Sequence, residues 1–430
     1  MKIRTETLSF EKVAALPRPK EKKPKRPNLF FRSLVRLLSE KELKEVDFSY
    51  TDSLPPGMKD RPCLILMNHS CFLDLSIVSK LFFPRPYCIV TTSDGFVGKE
   101  WLMRNLGCIP TRKFVTDYSL VGQMKCALTE KKTSVLMYPE ASYTFDGCQT
   151  PLPRHLGFLF KRLGVPVVMI RTFGAFARDP LYNGLKKRKV KVSALLSCLA
   201  TAEEVAEKSV AELDAITEAA FSFDSFAWQK ENGVEITESF RADGLERILF
   251  RCPDCEKEGC LKGEGTKLFC TSCGSEYELE PLGNLKKKGG EARFPHIPDW
   301  YQWERECVKK ELAEATYRLD AEVDIGVMRD YKAIYLVGSG RLVHDENGFC
   351  LTGDDGKLVY RQKPIASYGL YSDYFWYEIG DVICIGDGEM LYYCFPKHGE
   401  PVAKVRLAAE ELYKMRHREI DRTPAKPAAK

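Results

Sequence analysis

Apolar runs alternate with helical spacing through the first half of this chain. Four short apolar runs, at 63–67, 87–90, 134–138 and 165–170, read as strands. Between them, apolar residues spaced three and four apart predict helices over 75–81, 120–131 and 156–163. Strands alternating with helices predict an α/β domain on a mainly parallel sheet. Residues 189–199 read as another strand, and 201–220 as a charged amphipathic helix. The pattern then breaks. Residues 251–277 are rich in Cys and Gly, 283–298 carry Gly, Lys and Pro like a linker, and 300–322 regain a helical period. From 330 to 400, Tyr, Val, Ile and Phe alternate with turn signals such as Asp354-Asp355-Gly356 and Gly386-Asp387-Gly388. A helix over 405–418 follows. Several antiparallel strands with one terminal helix make a small β domain, a layout that a pleckstrin-homology-like module shares with others.

The expected organisation is a basic arm and amphipathic helix (1–44), an α/β domain (45–245), a cysteine ribbon (246–282), a linker and helix (283–322) and a C-terminal β domain (323–418). A length of 430 residues suits several domains rather than one core. No apolar run approaches the ~20 residues a membrane span needs. Residues 1–6 lack the apolar centre of a signal peptide. Sixteen cysteines, several lying singly in apolar runs, point to free thiols in a reducing, cytoplasmic compartment.

Net charge is only +5, yet Arg18, Lys20, Lys22, Lys23, Lys25 and Arg26 cluster together. After them, apolar residues at 30, 31, 34, 35, 37 and 38 share one helical face, with Asn28 as its cap. Two readings stand: a peripheral anchor on the inner face of an anionic membrane, or a disordered tail followed by a helix that packs on the core.

The candidate chemistry starts at Asn68-His69-Ser70-Cys71-Phe72-Leu73-Asp74, just after an apolar run. An imidazole takes a proton from a hydroxyl when a carboxylate on its other nitrogen fixes the tautomer and stabilises the imidazolium. On a regular helix, residues five apart point ~140° away from each other. His69 is therefore expected at a strand's C-terminal end, with Ser70 capping a helix that carries Asp74 in its first turns. Further along come Gly107-Cys108-Ile109-Pro110-Thr111-Arg112, read as a loop presenting a guanidinium suited to phosphate. Tyr138-Pro139-Glu140-Ala141-Ser142-Tyr143 follows a strand, and Val165-Pro166-Val167 opens another.

These four segments, in this order, resemble the 1-acylglycerol-3-phosphate acyltransferase (PlsC-like) superfamily over about residues 45–225. The resemblance implies a glycerolipid acyltransferase-like α/β domain that moves a fatty acyl group in phospholipid biosynthesis. Acyl-CoA or acyl carrier protein would be the donor, and a lysophospholipid hydroxyl at the membrane surface the acceptor. It makes His69 the general base and Asp74 its partner, and places Asn68, Arg112, Glu140 and Ser142 around the acceptor. The family commonly has Gly, Thr and Arg where this chain has Ala141, Ser142 and Tyr143. Tyrosine cannot neutralise a phosphate, so Arg171 or Arg178 is expected to compensate. Another lipid acceptor, or a scaffold that keeps the fold without activity, remains as an alternative.

Cys252-Pro253-Asp254-Cys255 and Cys270-Thr271-Ser272-Cys273 form two CxxC pairs fourteen residues apart. Each pair can offer two thiolates to one tetrahedral zinc, so a structural zinc ribbon is expected, with Cys260 left unligated. Lys257, Lys262 and Lys267 are mixed with Glu256, Glu258 and Glu264. That mixture argues against a nucleic-acid footprint.

Overall fold

A computed structural model describes residues 2–115 and 117–422. A short strand, β1 (Thr5–Thr7), and the helix Leu29–Glu45 precede seven strands. These are β2 (Ser49–Asp52), β3 (Leu64–Met67), β4 (Tyr87–Thr92), β5 (Cys108–Thr111), β6 (Ser134–Met137), β7 (Val167–Phe173) and β8 (Ser193–Ala200). They form one sheet in the order β2-β8-β7-β3-β6-β4-β5. Strands β3 to β7 run parallel, while β8 is antiparallel to β7 and carries β2 parallel to itself. The strand β3 is buried throughout, because helices cover both faces of the sheet. Ile65, Met67, Leu136 and Val168 pack toward Ile77 and Leu81 of the helix Leu73–Phe82. Leu64, Leu66, Val135 and Val167 pack toward Met124, Phe160 and Leu213 on the other face.

The second motif is a strand rather than the expected loop. The turn at Gly107 (φ 84°) feeds β5, and Pro110 is tolerated there because β5 is the sheet's edge. The helix expected over 201–220 is two, Ala202–Glu207 and Val210–Phe221. Each has its own capping box, Thr201 with Glu204 and Ser209 with Glu212, and the second box ends the first helix's register.

The cysteine region folds as β9 (Leu261–Glu264), β10 (Lys267–Cys270), β11 (Glu276–Leu279) and β12 (Leu285–Lys287), an antiparallel sheet. Part of the expected linker is thus a strand of the ribbon. The helix after it spans Ile297–Ala313, shorter than expected, and the chain is already extended at Leu319.

The C-terminal sheet contains β13 (Leu319–Met328), β14 (Ile334–Asp345), β15 (Gly348–Gly353), β16 (Leu358–Gln362), β17 (Tyr371–Trp376), β18 (Gly380–Gly386) and β19 (Leu391–Pro396). Their order is β16-β15-β14-β13-β19-β18-β17, antiparallel throughout, and the helix Val402–Arg422 follows. Ribbon, C-terminal sheet and terminal helix share one core through Leu268, Tyr277, Trp300, Val323, Leu342 and Leu407.

The N-terminal segment straps these parts together. Strand β1 pairs parallel with Ile334–Leu336 of β14, and Arg329 donates to the Leu16 carbonyl. Five of the six basic residues in the arm are paired within the chain. Arg18 meets Glu389, Lys22 meets Glu100, Lys23 meets Glu130, Lys25 meets Asn105 and Arg26 meets the Lys131 carbonyl. The arm therefore has an internal role that composition did not reveal.

Candidate active site

Strand β3 ends at Met67, and the turn after it brings His69 and Asp74 together. His69 Nδ1 lies 2.9 Å from Asp74 Oδ2. Asp74 is in the first turn of the helix Leu73–Phe82 and is 1% exposed. The same oxygen accepts from the Ser70 and Cys71 amides at 3.1 and 3.4 Å. Asp74 thereby closes the turn before its helix, whose N-cap is Phe72 with no side-chain cap bond, so Ser70 does not cap it as expected. Helix N-terminal amides favour a carboxylate at this spot. The imidazole lies between two rings, Tyr138 at 4.1 Å and Tyr143 at 4.2 Å between centroids. Burial, opposed by Asp74, holds His69 below the ordinary imidazole range.

Three expected acceptor-binding residues stand behind this pair and outside the cavity. Glu140 is buried, and its Oε2 accepts from the His69 amide at 3.0 Å. Its Oε1 accepts from the Thr150 amide and hydroxyl at 2.9 and 3.2 Å. Burial pushes its carboxyl up to about 7 against those bonds. Asn68 Oδ1 accepts from the Thr172 amide and hydroxyl, tying the turn to β7. Ser142 Oγ accepts from Arg406. In this structure these three side chains hold the turn through bonds within the protein.

Arg171 and Arg178 do not compensate for Tyr143 either. Arg171 donates to the Ala219 and Ala220 carbonyls, and Arg178 pairs with Asp179 at 3.0 Å.

His69 and Asp74 open onto a cavity of about 1390 Å³. Arg112 lines it directly after β5, and its buried Nε has no hydrogen-bond partner. Lys113 lines it too, with Nζ 4.2 Å from the Tyr371 ring centroid. Burial lowers the Lys113 ammonium, against the pull of Asp373 and Asp94. The opposite wall belongs to the C-terminal unit: Tyr368, Tyr371, Asp373, Phe375 and Trp376, with Tyr413 of the terminal helix. Burial raises Asp373 to about 6, with Lys113 opposing. Phe31 and Val35 of the helix Leu29–Glu45 close the apolar side. Sequence reasoning missed Lys113, Tyr143 as a ring stack, and Asp373. Lys113 could have been found from its place beside Arg112. Nothing local marks Asp373.

The four cysteines form a second cluster. The sulfurs of Cys252, Cys255, Cys270 and Cys273 all lie within 4.8 Å of one another. Cys252–Cys273 and Cys255–Cys270 are 3.8 and 3.7 Å apart. Tetrahedral thiolates about 2.3 Å from a zinc stand about 3.8 Å apart. The cluster is thus able to hold a metal ion such as zinc. All four thiols are free of disulfides. Cys260 Sγ lies 3.4 Å from Cys270 Sγ and donates to the Lys257 carbonyl.

Residues 45–171, which hold the sheet and the His69–Asp74 pair, match the family model described as Acyltransferase. A chloroplastic 1-acyl-sn-glycerol-3-phosphate acyltransferase of Brassica napus is 28% identical over 133 residues. That alignment covers 30% of this chain and 38% of the relative, so the chain spans well under half of the curated protein it matches. A solved structure, the 1-acyl-sn-glycerophosphate acyltransferase PlsC from Thermotoga maritima, aligns with 44% of this chain and 76% of its own. The identity is 12% and the TM-score 0.35. No helix among the described residues is long and apolar enough to cross a membrane.

Proposed function

We propose that this protein transfers a fatty acyl group from acyl-CoA or acyl-ACP to the free hydroxyl of a lysophosphatidic-acid-type acceptor. The observation that carries the reading is the 2.9 Å contact of His69 with Asp74 at the edge of a lipid-sized cavity. Drug-sized ligands occupy about 300–1,000 Å³, so this cavity has room for an acyl chain. His69 Nε2 takes the acceptor's hydroxyl proton as the oxygen attacks the thioester carbonyl carbon. The tetrahedral oxyanion then collapses, the C–S bond breaks, and the imidazolium returns its proton to the leaving thiolate. Cys71 lines the cavity, but burial holds its thiol well above its ordinary range. It is therefore no activated nucleophile, and direct transfer is favoured over an acyl-enzyme.

Arg112, the guanidinium expected at the acceptor's phosphate, would hold it together with Lys113. Asp373 brings a carboxylate to the facing wall. That favours a second reading, a lipid acceptor with hydrogen-bond donors or a cation beside its phosphate. The membrane reading draws on Phe30, Leu37, Leu38 and Trp101, which are 66–72% exposed and flank the apolar side of the cavity. Zinc on the four cysteines would be structural, since four thiolates leave no open position. Those thiolates suit a reducing compartment, which supports reading the protein as peripheral on the cytoplasmic face of a membrane.

The test is a panel of acyl-CoAs, acyl-ACP and lysolipids read by mass spectrometry. His69→Ala is expected to lower kcat/KM by about 10²–10⁴-fold. The base must be neutral to work, and its midpoint is lowered, so the acidic limb of kcat/KM is expected below pH about 6.5. Full activity in the folded variant would remove the dyad from the chemistry. An inactive wild type across the whole panel would leave the scaffold reading.

A further inference from the structure

The terminal helix packs with the C-terminal unit, yet one of its side chains reaches the catalytic loop. Arg406 is 3% exposed. Its Nη2 donates to Ser142 Oγ at 2.9 Å, and its Nη1 to the Tyr143 carbonyl at 3.2 Å. Its Nε donates to Glu410 Oε1 at 3.1 Å, one helical turn on. The guanidinium also lies over the Phe145 ring, 4.3 Å from the centroid. Glu410 in turn pairs with Arg305 of the helix Ile297–Ala313 at 2.8 Å. A planar fork bound on three edges and one face has little freedom left.

The loop held this way is the one that covers His69. Tyr143 lies on one face of the imidazole and Tyr138 on the other, while Asp74 takes one edge. A flat ring fixed on both faces and one edge keeps a single orientation, with Nε2 left for the acceptor.

We infer that Arg406 is a positioning residue for the base, holding the Ser142–Tyr143 segment against His69 from the C-terminal unit. Arg406 does not line the cavity, so it acts through the loop. Its effect on rate rests on the acyl-transfer reading; its effect on the imidazole does not. Releasing the loop opens the Tyr143 face of the ring to water. Burial is the main cause that lowers His69, so release raises its midpoint. The groups facing the ring are Asp74 from its helix, Lys113 from the segment after β5, and Tyr138 and Tyr143 from the loop after β6.

The experiment follows the His69 imidazole by NMR in the full chain from pH 4 to 9, assigned with His69→Gln. The variants are Arg406→Met, Arg406→Lys and Ser142→Ala. The last removes one of the loop's two acceptors for Arg406 and leaves every charge in place. The midpoint is expected to rise by about half a unit or more in Arg406→Met and Ser142→Ala, with Arg406→Lys between them and wild type. With acyl-CoA and lysophosphatidic acid, kcat is expected to fall about tenfold while KM changes less than about twofold, as misplacement of a base demands. A shift in Arg406→Met without one in Ser142→Ala would be the lost charge alone and overturns the inference. So does an unmoved midpoint in folded Ser142→Ala, which decides the matter if Arg406→Met does not fold. Shifted imidazoles in an inactive wild type overturn the acyl-transfer reading and keep this one; unmoved imidazoles in an active enzyme do the reverse.

Discussion

Ala141 has a φ of 56°, in the left-handed region where a side chain costs about 1–2 kcal/mol. The resembled family commonly carries glycine here, which meets no such penalty. Ala141→Gly is expected to raise the unfolding free energy by about 1 kcal/mol in urea titration; an unchanged midpoint would show that the loop relaxes the strain elsewhere. The neighbouring residues show what a sequence can reveal at this scale. His69 and Asp74 were legible because the fixed spacing of a strand-to-helix turn brings them together. Glu140, Asn68 and Ser142 were legible as members of the site but not in role. A motif names residue types, whereas burial decides whether a polar atom meets the ligand or the backbone. Here Glu140 is spent on the His69 and Thr150 amides, with no oxygen left over for a polyol.

At the scale of elements, periodicity found the strands of the buried sheet and the helix Leu156–Leu163, since both follow local patterning. It missed both edge strands: β5, where Gly107 and Pro110 looked like punctuation but occupy a turn and an edge, and β2, which is exposed along its whole length and carries no buried face to read. It overran the helix Ile297–Ala313, because the charged residues after it continue a helical period into β13. The ribbon is the element with a direct test. Its sheet is small, and Leu261, Leu268, Tyr277, Leu279 and Leu285 are what it adds to the shared core. A metal on the four sulfurs would therefore supply much of its stability. About one zinc per chain is expected by elemental analysis. Chelation or Cys270→Ser is expected to lower the unfolding temperature and expose the ribbon to protease. A metal-free preparation with unchanged melting and proteolysis would reject the structural metal.

For the whole molecule, the notable fact is that the cavity beside His69 has walls from regions hundreds of residues apart. No single-sequence pattern encodes such pairings, so the composite wall and the strapping arm were invisible before the fold. Asp94 Oδ2 accepts from the Tyr371 hydroxyl at 2.6 Å and from Trp376 Nε1 at 3.3 Å, a buried bridge between the α/β sheet and the C-terminal sheet. Asp94→Ala leaves the Tyr371 hydroxyl without its acceptor, while Trp376 Nε1 keeps the Tyr371 oxygen at 2.9 Å. It is expected to cost about 1–3 kcal/mol and to split a single calorimetric transition into two; one unsplit transition at the wild-type temperature would mean that apolar packing alone couples the sheets. The pairing of β1 with β14 has a consequence for biosynthesis. Arg329 and its Leu16 carbonyl are separated by 313 positions. At about 5–20 residues per second, a nascent chain waits tens of seconds between making β1 and making its neighbour. Until then β1 is an unsheltered edge on the ribosome, the natural target for a chaperone to shield or a protease to cut.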